Sequence, residues 1–257
     1  MIKQIKKKYK DFDITPQHLG QVIRDNNKTR KRTRHEHYPK MKYGNPTDKK
    51  KELEQFYKEV NKYPLNKIIS LDETSIKPAM IMEYSRCSLG KRCVQKTDDS
   101  YIFRKFTLLV AISNSKTIGH KLYDKGGMTK ERLVEFMKDH IFGKYKNRLI
   151  ILDNAGSHRN EYVKNAILES RNKYLFSIPY TPRTNTIEMY FNQVKHELKL
   201  NKNVLKFNDL KDEVKKSIKK VKKENYKNYF LYAYDKEKLK LLDKKDSTLK
   251  RKPKNYK

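Results

Sequence analysis

The chain has 257 residues, of which 36% are hydrophobic and 36% are charged, so it can bury a core and carries a highly charged surface. Its 62 Lys and Arg residues outnumber its 30 Asp and Glu residues, and the formal net charge of +32 indicates a polyanionic partner, with nucleic acid as the first candidate. A disulfide framework is not expected, because Cys87 and Cys93 are the only cysteines. Their spacing is also outside the usual zinc-ligand patterns, which argues against a structural zinc site.

The positive charge has a second explanation. Lys far outnumbers Arg and Asn is frequent, as expected when an AT-rich genome favours Lys and Asn codons at solvated positions. The charge alone therefore does not establish DNA binding.

No segment of the chain has the pattern of a membrane or export signal. The N-terminus is basic but is not followed by the apolar run of a secretory signal. The longest apolar run, 108–112, is far too short to span a bilayer. We expect a soluble, intracellular protein that works with DNA and not with a membrane.

Residues 1–38 predict a small helical module. Thr15 can cap the first free N–H groups of a helix, and the proline after it is suited to the first turn. The residues that follow bring Leu19, Val22 and Ile23 to one face. This pattern is typical of the second helix of a helix-turn-helix unit, whose other face is polar.

The residues expected to contact DNA lie on the polar face of this helix and in the basic run after it. The helix would meet a groove, and the run would meet backbone phosphates or a narrow minor groove. An ordinary amphipathic helix followed by a solvated linker is the alternative interpretation. The predicted DNA-binding residues are Gln17, Gln21, Arg24, Arg30, Lys31, Arg32 and Arg34.

From residue 47 onward, helical patterns alternate with short apolar strands. Such an order favours an α/β fold with a mixed sheet and helices on both faces, and sites in such sheets lie just beyond the strand ends. We predict helices over 47–61, 129–141 and 160–169, strands over 67–71, 101–112, 149–152 and 174–178, and a strand or hairpin between 84 and 94.

Beyond residue 200 the chain is basic and helical. A helix capped by Asn208 or Asp209 precedes a second, aromatic-rich helix over 226–234. We expect the two helices to pack as a pair, in preference to aromatic stacking on nucleic-acid bases. The tail over 244–257 has the composition of a disordered segment.

Three carboxylates occupy comparable positions in this pattern. Asp72 follows the predicted strand 67–71, Asp153 follows the strand 149–152, and Glu188 opens a helix. Each acid alone could cap a turn or complement a helix dipole. Together they predict that Asp72, Asp153 and Glu188 meet in space. Carboxylate oxygens suit Mg²⁺ or Mn²⁺, and two such ions can act on both sides of a phosphodiester.

The segments around these acids resemble the DDE transposases of the mariner superfamily and related bacterial insertion-sequence transposases. Between Asp153 and Glu188 lie 34 residues, a spacing that those families use. Pro179, Pro182, Asn185 and Glu188 form the Pro-x-x-Pro and Asn-x-x-Glu arrangement that is most distinctive of them. The resemblance implies an RNase H-like catalytic fold, with metal-dependent cleavage and strand transfer of DNA at transposon ends.

Carried over by position, the resemblance implies roles for residues within about 14–200. The catalytic metal ligands would be Asp72, Asp153 and Glu188, binding two ions of Mg²⁺ or Mn²⁺. The implied partners are double-stranded DNA, as transposon ends and as target, and a second copy of the chain in a homodimer. For His158, capping or packing at a helix start is an equal alternative. The residues that would support the ligands or position the substrate are Asn154, His158 and Asn185.

We predict three regions: 1–45, a partial helix-turn-helix region with a basic linker; 46–204, the RNase H-like catalytic domain; and 205–257, a basic helical extension. The family usually carries two helix-turn-helix units before its catalytic domain, yet 71 residues precede Asp72. We therefore expect a transposase or its N-terminally shortened form, with the first helix-turn-helix unit either missing or encoded elsewhere.

Two other functions are compatible with the sequence. A domesticated, non-catalytic DNA-binding protein derived from a transposase would bind duplex DNA without cutting it. A stand-alone RNase H-like nuclease would share the metal chemistry but act on branched or hybrid substrates. The presence of all three acids favours an enzyme, and the helix-turn-helix pattern favours a transposase.

Overall fold

The computed structural model describes residues 7–9, 13–26, 28, 41–42, 45–46, 48–78, 88, 92, 94, 100–179, 181–199 and 205–234. A large compact unit spans residues 38–243 and contains the sheet described below. Helix α1, Pro16–Asp25, belongs to a separate unit. The predicted strand or hairpin between 84 and 94 and the predicted disordered tail lie outside the described residues, apart from positions 88, 92 and 94.

Helix α1 begins where the sequence predicts. The Thr15 hydroxyl accepts a hydrogen bond from the backbone N–H of His18 at 3.1 Å, and a proline occupies the first turn. On the predicted apolar face of α1, Leu19 and Ile23 are half-buried and Val22 is exposed.

The main sheet has the strand order β5-β4-β3-β6-β7. The pairs β3–β4 and β4–β5 are antiparallel, whereas β3–β6 and β6–β7 are parallel, so the predicted mixed sheet is confirmed. A separate short ladder joins β1 to β2. The strands are β1 Met41–Lys42, β2 Asn45–Pro46, β3 Ile68–Ile76, β4 Phe106–Ile112, β5 Thr117–Tyr123, β6 Leu149–Leu152 and β7 Lys173–Phe176.

The helices of the large unit begin close to the predicted positions. Helix α2 is capped by the Asp48 carboxylate, which accepts from the N–H groups of Lys50 and Lys51, and α3 and α4 are capped by Thr129 and Asn160. Within the described ranges, no helix combines the length and apolarity needed to cross a membrane. The helices are α2 Lys49–Val60, α3 Lys130–His140, α4 Glu161–Glu169, α5 Ile187–Lys199, α6 Phe207–Lys219 and α7 Lys223–Tyr234.

Helices cover both faces of the sheet, as predicted. Successive strand residues point to opposite faces, so Ile68 and Ile151 enter one core while Ile69 and Ile150 enter the other. The first core includes side chains of α2, α5, α6 and α7, and the second includes those of α3 and α4. The C-terminal helices α6 and α7 both pack into the first core, each against α5 and not mainly against each other as predicted, and the tyrosines of α7 in that core are buried.

Several predicted element boundaries were wrong. Strand β3 does not end at residue 71 but continues to Ile76, because antiparallel pairing with β4 holds its polar second half. Strand β4 begins only at Phe106, after a 3-10 turn over Ser100–Phe103. Helix α6 begins earlier than Asn208 or Asp209, at Phe207, and Lys206 precedes it without a side-chain cap.

Strand β5 was not predicted from the sequence. It returns antiparallel to β4 after a tight turn in which the backbone N–H of Ser113 donates to the Lys116 carbonyl at 2.9 Å. Its pattern is interrupted at Gly119, where a Cβ would collide with the His140 ring of α3. The glycine that hides the strand in the sequence is therefore required for close packing of α3 on the sheet.

Candidate active site

The three predicted acids come from neighbouring elements at one end of the sheet. Asp72 lies within β3, Asp153 follows β6 directly, and Glu188 is in the first turn of α5. The expectation that Asp72 lies beyond a strand end was wrong, because the strand continues. Its parallel pairing with β6 nevertheless stops at Ser70, so Asp72 lies just past the edge where β6 ends.

Asp72 is nearly buried, with 9% of its surface exposed, and both of its carboxylate oxygens accept hydrogen bonds. Oδ1 accepts from the backbone N–H of Glu73 at 2.7 Å, and Oδ2 accepts from Nδ2 of Asn185 at 2.7 Å. Oδ1 of Asn185 in turn accepts from the Ser70 hydroxyl at 3.2 Å. The buried amide of Asn185 thus links the loop before α5 to two residues of β3.

Asp153 is held by the turn that follows β6. Its Oδ1 accepts from the backbone N–H of Ala155 at 2.9 Å and lies 2.5 Å from Nδ1 of His158. Nε2 of the same imidazole lies 3.1 Å from Oε2 of Glu73. Both contacts are ion pairs in which the N–H groups are not aligned for a hydrogen bond. The fully buried His158 therefore bridges the carboxylate that follows β6 and the Glu73 carboxylate of β3.

Asn154 connects the same turn to the neighbouring strand. Its Nδ2 donates to the carbonyl of Ser177, just after β7 ends. The backbone N–H of Ser177 donates to the Leu152 carbonyl at 2.8 Å, which extends the pairing of β6 with β7 to the edge of the site. Asn154 therefore fixes the turn from the side opposite to His158.

The loop before Glu188 is shaped by Thr184. Its hydroxyl accepts from the backbone N–H of Ile178 at 2.9 Å and donates to the Thr181 carbonyl at 2.8 Å. Helix α7 supports the loop from behind, where the Tyr234 hydroxyl donates to the Thr184 carbonyl at 3.3 Å. The Glu188 carboxylate, by contrast, makes no hydrogen bond or ion pair to the described part of the chain.

All three acids line one cavity of about 330 Å³. Asn154 and Asn185 are also in its wall, whereas His158 lies behind Asp153 and does not line it. The full lining is Asp72, Asp153, Asn154, Ser177, Ile178, Pro179, Thr181, Pro182, Asn185 and Glu188.

Burial and mutual repulsion shift the carboxylate pKa values apart. Burial, with the charges of Asp153 and Glu73, raises the pKa of Asp72 to about 7. Burial and the charge of Asp153 likewise raise the pKa of Glu188. Burial also acts to raise the pKa of Asp153, but contact with His158 and the Ala155 N–H outweighs it and lowers that pKa. The cavity thus concentrates negative charge, and among the three acids the surrounding protein outweighs burial at Asp153 but not at Asp72 or Glu188.

His158 carries the compensating charge. Burial alone would lower its pKa, but contact with Asp153 and Glu73 outweighs burial and raises that pKa to about 10. The imidazole is therefore protonated at neutral pH. Glu73 was not among the predicted site residues, and the only sequence signal for it is its position next to Asp72.

Carboxylates of this kind fit hard divalent cations. Asp72 and Glu188 present oxygen donors whose pKa values are raised, so a nearby cation would relieve a repulsion that the protein leaves in place. Among the residues that the structure describes, no three His, Cys, Asp or Glu side chains are gathered closely enough to hold a metal ion. The donor chemistry fits, and the unpaired Glu188 carboxylate is the acid free to turn inward.

The predicted DNA-binding residues belong to a different unit from the cavity. Gln17, Gln21 and Arg24 are all exposed on α1. Gln21 bridges along the helix, donating to Asp25 at 2.6 Å and accepting from Arg24 at 2.8 Å. The remaining predicted residues, Arg30, Lys31, Arg32 and Arg34, lie outside the described residues.

Solved structures of similar fold come from the Mos1 mariner transposase. The paired-end complex with Mg matches with a TM-score of 0.68 and 16% identity, covering 89% of this chain and 69% of that chain. The pre-cleavage transpososome matches with a TM-score of 0.66 and 16% identity, covering 95% and 75%. The isolated catalytic domain matches with a TM-score of 0.51 and 16% identity, covering 70% and 84%. At these identities the likeness shows the fold, which confirms the predicted RNase H-like architecture.

Comparison of sequences gives the family. No curated protein matches the chain. The family model described as the DDE superfamily endonuclease matches residues 67–211, which is more than half of the chain and includes Asp72, Asp153 and Glu188. The chain therefore belongs to the DDE superfamily endonucleases.

Proposed function

We propose that this protein is a transposase that cuts DNA at transposon ends and joins the 3′ ends to a target, with divalent metal ions as cofactors. The observation that carries the proposal is the convergence of Asp72, Asp153 and Glu188 on one cavity in a DDE superfamily endonuclease. The Mos1 relatives of similar fold include paired-end and strand transfer complexes, and structures with Mg or Mn, which supports the same chemistry here.

In this proposal Asp72, Asp153 and Glu188 are the metal ligands, and two Mg²⁺ or Mn²⁺ ions are bound. Bound ions would supply activation of a water or 3′-hydroxyl and stabilisation of the leaving oxygen of a phosphodiester. The chain would supply the geometry, because Asp72 is fixed by two donors and Asp153 by a backbone N–H and an imidazolium. Glu188 would complete the ligand set by turning toward the other two acids.

Asn185, Asn154 and His158 would act as positioning residues. Asn185 holds the Asp72 oxygen that faces away from Glu73, and Asn154 ties the turn after Asp153 to the end of β7. His158 would keep Asp153 ionised and oriented, while Glu73 keeps the imidazole protonated. Partners of this type orient metal ligands and are typically needed for full affinity or activity.

Double-stranded DNA is the partner that the net charge of +32 favours. The exposed Gln17, Gln21 and Arg24 would meet the DNA in a groove, and the basic residues 30–34 would meet its backbone. We further propose that regions 1–45, 46–204 and 205–257 act as end-binding, catalytic and supporting parts. Two copies would work together on a pair of transposon ends.

A joining assay tests the proposal. Labelled duplexes carrying the DNA that flanks the gene, each with a free 3′-hydroxyl, are incubated with supercoiled plasmid and Mg²⁺ or Mn²⁺. We expect label to be transferred covalently to the plasmid by the wild type and by Glu197→Gln, a control on the same helix. Glu188→Gln should not transfer it. Release of cut fragments without any transfer would contradict the proposal and leave a nuclease instead.

A further inference from the structure

A second cavity lies at the opposite end of the parallel strands from the three acids. It has a volume of about 410 Å³ and is formed where the chain enters β6 and β7. We call it the basic cavity, because cationic side chains from the beginnings of both strands line it. Its lining is Tyr63, Asn147, Arg148, Leu168, Arg171, Asn172 and Lys173.

The backbone around the basic cavity is held in a specific conformation. Asn147 and Arg171 have φ values of 55° and 62°, in the left-handed region of backbone conformation that residues other than glycine rarely adopt. They are joined by a hydrogen bond of 2.9 Å from the Asn147 N–H to the Arg171 carbonyl. The buried Asn172 accepts from the Arg148 N–H at 3.0 Å and donates to the Tyr145 carbonyl at 3.0 Å. The cavity is therefore rigidly built before any ligand arrives.

Within the described structure, the lining contains three cations and no carboxylate. The side chains of Arg171 and Lys173 are exposed and make no hydrogen bond or ion pair to the described part of the chain. Glu59 is paired with Lys62 at 2.6 Å, and this contact, with a smaller contribution from the charge of Lys173, lowers the pKa of Glu59. Two of the three positive charges thus have no carboxylate in direct contact among the described residues.

Arg148 adds a donor that is already removed from water. Its guanidinium donates to the Asn66 carbonyl and lies over the Tyr145 ring at 5.6 Å. The Nε atom of the same group is buried and has no hydrogen-bond partner in the described structure. A buried donor without an acceptor is costly, and an anion entering the cavity is one way to satisfy it.

We propose that the basic cavity binds a backbone phosphate of the DNA on which the protein acts. Guanidinium groups and an ammonium group suit a phosphate oxyanion, and the exposed charges would release counterions when it binds. Arg148 and Asp153 lie at opposite ends of strand β6. At about 3.3 Å per residue, this strand places the basic cavity about 16 Å from the acids. That distance corresponds to roughly five base-pair steps along a duplex. In taking DNA as the ligand, the inference rests on the proposed function.

The experiment measures duplex affinity over a range of salt concentrations, by fluorescence anisotropy in EDTA so that no cleavage is needed. The test variant is Arg171→Gln with Lys173→Gln. The control is Lys211→Gln with Lys215→Gln, which removes the same charge from exposed positions of α6. We expect the test variant to lose affinity severalfold and the slope of log K against log salt to fall by about one, with the slope of the control unchanged.

Equal slopes and affinities for the test variant and the control would overturn the inference, as would failure of the wild type to bind duplex. A free phosphate ion is the other source of the same chemistry. If inorganic phosphate raises the melting temperature of the wild type but not of the test variant, while DNA binding is the same in both, the cavity is not a DNA site. If duplex binding depends on the basic cavity but the protein never cuts DNA, only the proposed function is overturned.

Discussion

At the scale of single residues, the candidate site depends on charges that the fold forces together. Asp72 is nearly buried between an amide and a backbone N–H, and it faces Asp153 and Glu73. Burial and like charge make its ionised form costly. Without a cation, the protein should therefore be less stable with Asp72 than with a neutral side chain of the same shape.

Asp72→Asn should stabilise the protein in EDTA at pH 8 by about 2–4 kcal/mol. The folded pKa of Asp72, about 7, lies above the unfolded value near 3.8, so the wild type loses stability as pH rises between these values and the loss is complete above pH 7. Asn185 can turn its amide over to suit the substituted side chain, because the Ser70 hydroxyl can accept as well as donate.

Urea unfolding at pH 4.5 and pH 8 measures this effect. The gap between Asp72→Asn and wild type should be much larger at pH 8, and Asp212→Asn, an exposed position on α6, should change stability by no more than about 0.5 kcal/mol. A stability difference of the same size at both pH values would show that ionisation of Asp72 does not destabilise the protein.

The three acids could be predicted from the sequence, but their local partners could not. Asp153 ends a short apolar run, and Glu188 follows a Pro-x-x-Pro segment, so both stand out. Glu73 does not stand out, because its role depends on an imidazole that is distant in sequence and folds back against it. Contacts between strands carry no local sequence pattern.

At the scale of elements, the turn from Asp153 to His158 is the connection that most directly fixes the site. It is closed by backbone hydrogen bonds from His158 and Arg159 to the Ala155 carbonyl, at 3.0 and 3.1 Å. The imidazole at its end reaches back to Glu73 of β3. Removal of the imidazole should therefore loosen Asp153 without unfolding the sheet.

His158→Gln should lower DNA nicking about 10- to 100-fold at low Mg²⁺ and raise the half-saturating Mg²⁺ concentration. The physical reason is that Asp153 loses the group that orients it. The measurement is nicking of supercoiled plasmid as a function of Mg²⁺, with His196→Gln, an exposed histidine of α5, as the control. A lower melting temperature with an unchanged half-saturating concentration would mean that His158 is only a packing residue.

Elements with a clear period were predicted well, and those held by pairing were not. Helix α3 has both a Thr129 cap and an apolar stripe, so its position follows from sequence. The second half of β3 is polar and is extended only because β4 pairs with it. Strand β5 contains Gly119, whose purpose is visible only when α3 is packed against it.

At the scale of the whole molecule, the sheet separates two chemistries. Its carboxyl-terminal edge carries the three acids, and the amino-terminal edge of the same parallel strands carries the basic cavity. The sequence indicates the acids, but the cavity could not be predicted, because Lys and Arg are abundant throughout the chain. Only the strand order brings Arg148 and Lys173 to one place.

The C-terminal helices are part of the same body as the sheet. Helix α7 contributes buried side chains to the core, the Tyr57 hydroxyl of α2 donates to the Ala233 carbonyl at 3.1 Å, and Arg183 lies over the Tyr232 ring. Helix α7 therefore supports the loop that leads to Glu188. On α6, the buried residues Leu210, Val214 and Ile218 form an apolar face and basic residues occupy exposed positions, as its amphipathic pattern predicts.

The most direct test of the account is metal-dependent nicking of supercoiled plasmid by the wild type, by Asp153→Asn and by Asp139→Asn, an exposed aspartate of α3 used as the control. We expect nicking by the wild type and the control in Mg²⁺ or Mn²⁺, none in EDTA, and a loss of at least about 100-fold for Asp153→Asn. Equal nicking by the wild type and Asp153→Asn would contradict the assignment of the three carboxylates as the catalytic metal site.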